Sequence, residues 1–186
     1  MSKTEAIAKL VPVFRHYGYE GATVSRLSQA TGLGKASLYH YFPKGKSEMA
    51  AAVLEYVERR FAQTVIAPLH SPGDPQHRLQ SMCQSLSEFY NSGREACLLS
   101  ILSHGEANTL FHQAIQTALT TWIEAIAQVL QEANCDRELA WERAEDAAIQ
   151  IQGALILARV LDRTEPFQRI IAYLPRKLLA SASSSV

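Results

Sequence analysis

The chain has 186 residues, a length that fits one or two domains. Its 18 basic and 18 acidic side chains give a net charge of zero, which taken alone argues against a protein that coats nucleic acid or a membrane through bulk charge. The charge is unevenly placed, however. Residues 1–46 carry seven Lys and Arg and two Glu, a net charge of +5, so the remaining 140 residues carry −5.

Apolar runs and cysteines narrow the class of protein further. No apolar run reaches the roughly 18 residues that a membrane span needs, and the N-terminal residues lack the apolar core of a signal peptide. The three cysteines, Cys83, Cys97 and Cys135, are far apart, as is typical of reduced thiols. We therefore expect a cytoplasmic protein with no membrane partner.

The first predicted helix begins near Lys3, where Ser2 and Glu5 fit a capping box, and ends at Gly18. Pro12 lies past the first turn and should kink this helix. Its apolar residues recur on one face, which we predict to be buried. They are Ile7, Leu10, Phe14 and Tyr17.

Two predicted helices of about two turns each follow. They are Val24–Thr31, with Thr23 as N-cap, and Lys35–Phe42, and Gly32-Leu33-Gly34 joins them. Such short helices are marginal alone, so the first helix must support them. The residues predicted to face inward are Val24, Leu27, Ala30, Leu33 and Leu38. This layout predicts a helix-turn-helix, whose second helix can enter the major groove of DNA.

Helical patterns continue to the end of the chain. We predict a long helix from Lys46 to Ala67, a linker at Pro68–Pro75 and five further helices at 75–90, 94–104, 106–133, 136–161 and from 164 onward, the last broken or kinked by Pro175. The predicted fold is all-α with about nine helices. The predicted domains are a three-helix DNA-binding domain at 1–46, joined by the helix 46–67 to a helical domain at 68–180, and a disordered tail at 181–186.

The outward residues of the two short helices suit contact with DNA. Lys35 can donate to guanine, Ala36 allows close approach to a thymine methyl, and Ser37 can bond a base edge or a phosphate. Donors for phosphate oxygens come from Thr23, Ser25, Tyr39, His40, Lys44 and Lys46. The alternative is that the polar residues are only solvated and that Tyr39 belongs to the core.

The residue order in this region resembles the DNA-binding domain of the TetR/AcrR family of transcriptional regulators. The matching residues are Phe14, Gly18-Tyr19, Thr23-Val24, Leu27, Ala30, Gly32-Leu33, Lys35, Ser37-Leu38-Tyr39, Tyr41-Phe42 and Lys46. The resemblance implies phosphate contacts from Thr23 to Arg26 and base contacts from Lys35, Ala36 and Ser37. The segment Pro43-Lys44-Gly45-Lys46 is longer than the usual one at this place, and it resembles the corresponding segment in the branch of the family that regulates multidrug-resistance genes. Because it contains two lysines, either Lys44 or Lys46 could make the phosphate contact.

The resemblance also implies that the second domain binds a ligand and forms a dimer. Large apolar residues with a few polar ones suit a ligand pocket, although a filled core is the alternative for each. These residues are Met82, Leu86, Phe89, Tyr90, Leu98, Leu102, His104, Phe111, His112 and Trp122.

The last two helices carry more apolar surface than one core can hide. Pairing with a second copy would bury it in a two-fold, four-helix interface. The residues predicted at this interface are Ile149, Gly153, Ile156, Leu157, Val160, Phe167, Ile170 and Leu174.

The predicted function is sequence-specific regulation of transcription by a homodimer. The resemblance implies a repressor, which a small apolar or amphipathic ligand releases from a palindromic double-stranded operator. We predict no enzyme activity, metal or cofactor, since no motif for them is present. Alternatives are an architectural DNA protein, a helical-bundle enzyme, or a regulator switched by oxidation of Cys97. For Cys97 itself, the pattern favours a small buried hydrophobe over a redox sensor.

Overall fold

The computed structural model describes residues 1–180 and confirms the all-α fold, with nine α-helices and no strand in that range. The predicted tail, 181–186, lies outside the described residues. The helices are α1 (Lys3–Gly21), α2 (Val24–Thr31), α3 (Lys35–Tyr41), α4 (Lys46–Phe61), α5 (Pro75–Phe89), α6 (Leu98–Leu102), α7 (Gly105–Glu132), α8 (Arg137–Val160) and α9 (Glu165–Leu179).

Side-chain caps begin several helices where the sequence predicted them. The Ser2 hydroxyl accepts a hydrogen bond from the Glu5 N–H at 3.1 Å, and the Glu5 carboxylate accepts one from the Ser2 N–H at 2.7 Å. Thr23, Asp74 and Asp136 cap α2, α5 and α8 in the same manner. Each cap accepts a hydrogen bond from a backbone N–H that the helix leaves unpaired. A cap of this kind typically adds about 1 kcal/mol to the free energy of unfolding.

The break in α1 falls at Gly18 rather than at Pro12. Gly18 has φ 66° and ψ −174°, a conformation essentially restricted to glycine. Pro12 stays within the helix because its fixed φ is close to the helical value and it removes only one hydrogen bond. The predicted buried stripe was wrong at Tyr17, whose side chain is exposed.

Three other helix boundaries differ from the prediction. The α-helical part of the fourth helix ends at Phe61. A π-helical turn, Ala62–Ile66, follows it, and the Ala67 N–H bonds the Ala62 carbonyl at its end. The helix predicted from 94 begins only at Leu98, since Gly93 has φ 95° and Cys97 is extended. The last helix runs through Pro175 to Leu179, so Pro175 does not end it.

The chain forms two compact units. The head unit is Met1–Arg60 with Ala96–Gln116, and the body unit is Phe61–Glu95 with the described part of 117–186. The head unit therefore includes α6 and the first turns of α7, which the predicted domain boundaries place with the second domain. Its core forms around α1, where Leu10 and Phe14 are fully buried with Leu27 and Leu38 of the two short helices.

The body unit is built on α5, α8, α9 and the second part of α7. Small residues line the inward side of α8, where they let neighbouring helices approach closely: Ala140, Ala144, Ala147, Ala148, Ala154 and Ala158. Gly93 packs directly against α9, since a Cβ there would lie 2.9 Å from the Cβ of Phe167. Arg78, which is buried, donates to the Leu69 carbonyl at 3.1 Å and pairs with Glu132.

Candidate nucleic-acid interface

Hydrogen bonds from two side chains hold the turn between α2 and α3. The buried Thr31 hydroxyl bonds the Leu27 carbonyl at 2.8 Å and receives the Leu33 N–H at 3.3 Å. The Ser28 hydroxyl donates to the Leu33 carbonyl at 2.5 Å. Because Thr31 takes the inward position of α2, Ala30 lies exposed, and its predicted inward placement was wrong. Gly32, with φ 73°, then turns the chain towards α3.

Nine of the ten predicted DNA contacts lie on the exposed surface of the head unit. They are Thr23, Ser25, Arg26, Lys35, Ala36, Ser37, Tyr39, His40 and Lys44. Leu38 is fully buried on the opposite side of α3, so this short helix presents its polar residues outward while the leucine anchors it. The tenth predicted contact, Lys46, is half-buried.

Arg26 is oriented by a residue that the sequence pattern misassigned. Its guanidinium carbon lies 4.2 Å from the centre of the Tyr17 ring, and its Nη1 donates to the Gly21 carbonyl at 2.7 Å. Stacking on an aromatic face restricts the arginine while leaving other N–H donors available. Tyr17 therefore serves as a platform for Arg26. Its place on the apparent apolar stripe hid this role, because periodicity does not distinguish a buried tyrosine from an exposed one.

The extended step after α3 has a defined geometry. The Lys44 N–H donates to Glu48 at 2.9 Å, and Glu48 also pairs with Lys3 at 3.6 Å. Gly45 has φ 71° and lies under Tyr39, since a Cβ there would be 3.3 Å from the tyrosine ring. Glycine thus lets the backbone pass close beneath the exposed ring of Tyr39.

Lys44 and Lys46 have different surroundings. The Lys44 side chain is exposed. The Lys46 ammonium lies 4.1 Å from the centre of the Tyr19 ring, and Tyr19 is itself buried against Phe111 with ring centres 6.1 Å apart. Burial, together with Glu106 and Glu20, raises the pKa of Tyr19 above its ordinary value.

Glu20 connects the end of α1 to the start of α7 inside the head unit. Its carboxylate accepts the Glu106 N–H at 2.9 Å, at the N-terminus of α7. Backbone N–H groups of Glu20 and Glu106, and the charge of Lys46, lower the pKa of this carboxyl. Gly105 has φ 59°, and a Cβ at this position would collide with the Glu20 carboxylate. Sequence patterns did not reveal this contact, because 86 residues separate its partners.

The residues predicted to line a ligand pocket are divided between the two units. Leu98, Leu102, His104, Phe111 and His112 belong to the head unit, and Met82, Leu86, Phe89, Tyr90 and Trp122 belong to the body unit. The two histidines are exposed, Phe89 is half-buried and the other seven are buried.

An aromatic cluster lies within the body unit. The rings of Trp122, Phe61, Phe89, Tyr90 and Phe167 follow one another with centre distances of 5.3, 5.2, 5.1 and 6.2 Å, and all four pairs meet edge to face. Three of the predicted pocket residues therefore come together. Phe61 was not among the predicted site residues, and Phe167 was predicted as an interface residue.

The residues predicted at a dimer interface fall into two groups. Ile149, Gly153, Ile156, Leu157 and Val160 are exposed along one stripe of α8. Phe167 and Leu174 are fully buried within the protomer, so their predicted place on an exposed face was wrong, because α9 turns them towards Gly93 and the core. Ile170 is half-buried on α9.

Two of the three cysteines are shielded from solvent. Cys83 and Cys97 are buried, and burial raises the pKa of Cys83 from 9.0 to about 12. In residues 1–180 no group of three or more His, Cys, Asp or Glu is placed to hold a metal ion. Over the same residues, no helix combines the length and the apolar character that crossing a membrane requires.

Two family models match most of the chain. The model of bacterial regulatory proteins of the tetR family matches residues 6–53, and that of the LmrA/YxaF-like transcriptional regulator C-terminal domain matches residues 75–173. The HTH-type transcriptional regulator LmrA of Bacillus subtilis (strain 168) is 21% identical over 179 residues, 94% of this chain and 95% of that protein. The HTH-type transcriptional repressor AcnR of Corynebacterium efficiens is 36% identical over 64 residues, 34% of each chain.

Solved structures share the fold. A TetR transcriptional regulator from Legionella pneumophila has a TM-score of 0.82 at 18% identity, covering 95% of this chain and 97% of that one. A TetR regulatory protein from Rhodobacter sphaeroides has a TM-score of 0.80 at 24% identity, covering 93% and 96%.

Proposed function

The chain belongs to the TetR family of transcriptional regulators, as its sequence motif indicated, and from this premise we propose that it is a homodimeric repressor that a small ligand releases from a palindromic operator. The observation that carries the DNA-binding part is the exposed polar surface of α3, mounted on residues 1–46 with their net charge of +5. A basic surface around a helix-turn-helix is what approach to a duplex requires.

In this proposal α3 enters the major groove. Lys35, in its first turn, donates to guanine O6 and N7, and Ala36 and Ser37 approach neighbouring base edges. Tyr39 and His40 donate to phosphates beside the groove. The N-terminus of α2, with Thr23, Ser25 and Arg26, holds the backbone of the same half-site.

We assign the remaining phosphate contact to Lys44 rather than Lys46. The exposed Lys44 can extend to the duplex, whereas the Lys46 ammonium is held over the Tyr19 ring and near Glu20. A lysine drawn to an aromatic ring and a carboxylate would have to leave both to reach DNA. Lys46 therefore supports the base of α4 instead.

A second copy covers the exposed apolar stripe of α8. Ile149, Ile156 and Val160 are 68, 53 and 76% exposed, and Gly153 between them leaves open space into which another backbone can approach. Apolar residues on one helix face over three turns are costly to leave in water. A two-fold interface buries the stripe against itself and places two heads on one palindrome, with half-sites about 34–36 Å apart.

Release by a ligand follows from unequal affinity for two conformers of the dimer. The ligand acts only to the extent that it prefers the conformer whose heads do not match the operator. A tenfold release from DNA corresponds to a coupling free energy of about 1.4 kcal/mol. The burial of Cys97 argues against oxidation of this thiol as the switch, because a reagent reaches a buried thiol poorly.

Footprinting on DNA upstream of the chain's own gene tests the proposal. We expect protection of two half-sites one helical turn apart, and discrimination against random DNA by roughly 4–10 kcal/mol. Lys35→Ala should weaken binding and relax sequence preference, whereas Lys177→Ala, which changes an exposed lysine of α9, should leave both unchanged. Binding without sequence preference would instead support an architectural DNA protein.

A further inference from the structure

Trp122 has a polar atom that the fold does not use. The residue is 2% exposed, and its indole nitrogen Nε1 is buried without a hydrogen-bond partner among the described residues. An indole N–H can only donate, and leaving such a donor unpaired in the interior costs more than an ordinary hydrogen bond gains. A group of this kind calls for a physical explanation, because nearly all buried donors in native proteins are paired.

The two aromatic rings that follow Trp122 in the cluster offer its N–H no oxygen or nitrogen acceptor. The Phe61 ring contacts Trp122 edge to face, with ring centres 5.3 Å apart and an angle of 86° between the ring planes. The Phe89 ring contacts Phe61 on its other side, with ring centres 5.2 Å apart. Both phenylalanines are hydrocarbon rings and offer no oxygen or nitrogen acceptor. They are also only half-buried, whereas Trp122 is fully buried, so they form the more accessible side of the cluster.

The backbone is irregular on both sides of these rings. Directly after Phe61 the chain forms the π-helical turn Ala62–Ile66. After Phe89 and Tyr90, Asn91 and Ser92 have φ values of 47° and 56°. Non-glycine residues seldom adopt such angles, and both features are more frequent at functional sites than elsewhere. Phe61 and Phe89 are therefore each the last residue of a regular helix, directly or closely followed by irregular backbone.

We propose that the Trp122 indole N–H is the anchoring donor for the effector, and that the effector is a flat apolar molecule carrying a hydrogen-bond acceptor. The acceptor, a ring nitrogen, carbonyl or ether oxygen, pairs with Nε1. The flat body packs against Phe61 and Phe89, whose edge-to-face rings offer both faces and edges to a further ring. This inference rests on the proposed ligand-responsive function and names the chemistry that the ligand must carry.

The chemistry of the donor sets the selectivity. An apolar molecule of the same shape without an acceptor gains the same burial but leaves the N–H unpaired. Sites built around a buried polar group reject analogues that cannot pair with it. We therefore expect an acceptor-bearing ligand to bind about tenfold more tightly than its hydrocarbon analogue.

Quinoline and naphthalene provide the matched pair of probes, because they share shape and differ by one ring nitrogen. The chain has two tryptophans, Trp122 and Trp141, so its ¹H–¹⁵N NMR spectrum holds two indole signals, which Trp141→Phe assigns. On titration of the full chain with quinoline, the Trp122 indole proton should move downfield. Naphthalene should move it little, and the signal of the more exposed Trp141 should stay in place with both probes.

Trp122→Phe removes the donor and keeps an aromatic ring. In this variant the preference for quinoline over naphthalene, measured by calorimetry, should disappear. If the variant does not fold, the titration of the wild-type chain alone decides. A Trp122 signal that quinoline leaves unmoved up to its solubility limit overturns the proposal, as does equal affinity for both probes. The NMR titration contains no DNA, so its result does not depend on the footprinting experiment. A chain that fails to protect an operator would overturn the proposed function and would leave the NMR result unchanged.

Discussion

Lys44 and Lys46 are two residues apart, yet their side chains have different environments. We predict that Lys44→Ala weakens binding to specific and random DNA by similar factors and lowers the slope of log affinity against log salt by about one. The reason is the loss of one phosphate contact and the counterions it displaces. Fluorescence anisotropy between 50 and 200 mM salt measures both.

Lys46→Ala is the matched control for this prediction. It should leave the salt slope nearly unchanged, because the Lys46 ammonium lies over Tyr19 rather than in solvent. A slope that falls only in the Lys46 variant would reverse the assignment.

Gly93 occupies a position that no other residue fits. Its φ is 95°, and an added Cβ would lie 2.9–3.0 Å from three atoms of Phe167. We predict that Gly93→Ala lowers the free energy of unfolding by about 2–4 kcal/mol, through backbone strain and overpacking together. Urea denaturation measures the loss. Gly34→Ala, at a position with ordinary φ and open space around it, should change stability by less than about 1 kcal/mol. Equal losses in both variants would contradict this account.

Cys83 and Cys135 should differ in reactivity. Burial raises the pKa of Cys83 to about 12, so almost no thiolate exists there at neutral pH, whereas Cys135 is half-buried. Iodoacetamide should therefore label Cys135 first in the folded protein, as mass spectrometry can show. Because the folded pKa of Cys83 lies above its ordinary value of 9.0, its contribution to stability is complete below pH 9 and is lost as pH rises towards 12. Labelling of Cys83 before Cys135 in native protein would contradict this order.

At the scale of the helices, most starts and several stops were predictable because they depend on neighbouring residues. The capping box at Ser2 and Glu5 and the left-handed Gly32 are local signals, and the structure shows both. The errors arose where distant packing decides. The local pattern predicted that residues 94–97 are helical. In the structure Gly93 packs against Phe167, 74 positions further along the chain, and residues 94–97 are not helical.

The candidate site was predictable to the same extent. The short helices and their polar residues follow from the local pattern, so nine DNA contacts predicted from sequence lie on the surface. The roles of Tyr17 and Glu20 were not predictable, since each depends on a partner or a neighbouring helix that periodicity does not identify. The Trp122 donor could not be recognised either, because a sequence does not show which buried groups lack partners.

The start of α7 depends on a carboxylate from α1. Glu20 accepts the Glu106 N–H, and its pKa is lowered by the hydrogen bond from its own backbone N–H and by the one from Glu106. A lowered folded pKa means that the contribution is present above the ordinary value near 4.5 and is lost as pH falls below it. We predict that the protection factors of the amides in the first turn of α7, which correct for the intrinsic exchange rate, are lower at pH 3 than at neutral pH. Glu20→Ala should produce the same change at neutral pH.

The control for this prediction is Glu142→Ala, which removes an exposed carboxylate of α8. It should not change exchange at α7. Protection of the Glu106 amide that survives both acid and Glu20→Ala would show that another group caps this helix.

For the molecule as a whole, a net charge of zero conceals a separation of charge. The +5 of residues 1–46 lies on the chain segment with α2 and α3, and the balancing −5 lies on the rest. The positive segment attracts the duplex, whereas the neutral total keeps attraction to DNA of any sequence modest. Specific affinity must then come from two heads on one operator, which makes the dimer essential to the proposed function.

Gly153 offers a direct test of that dimer, because an added Cβ there meets no atom of the same protomer. We predict that Gly153→Leu leaves each protomer folded, since leucine favours helix over glycine, but separates the dimer by blocking close approach of α8. Sedimentation velocity should show a monomer, and operator affinity should fall at least a hundredfold while circular dichroism stays unchanged. Gln80→Leu, at an exposed position of α5, serves as a control for added bulk. A Gly153→Leu chain that remains dimeric would place the interface elsewhere.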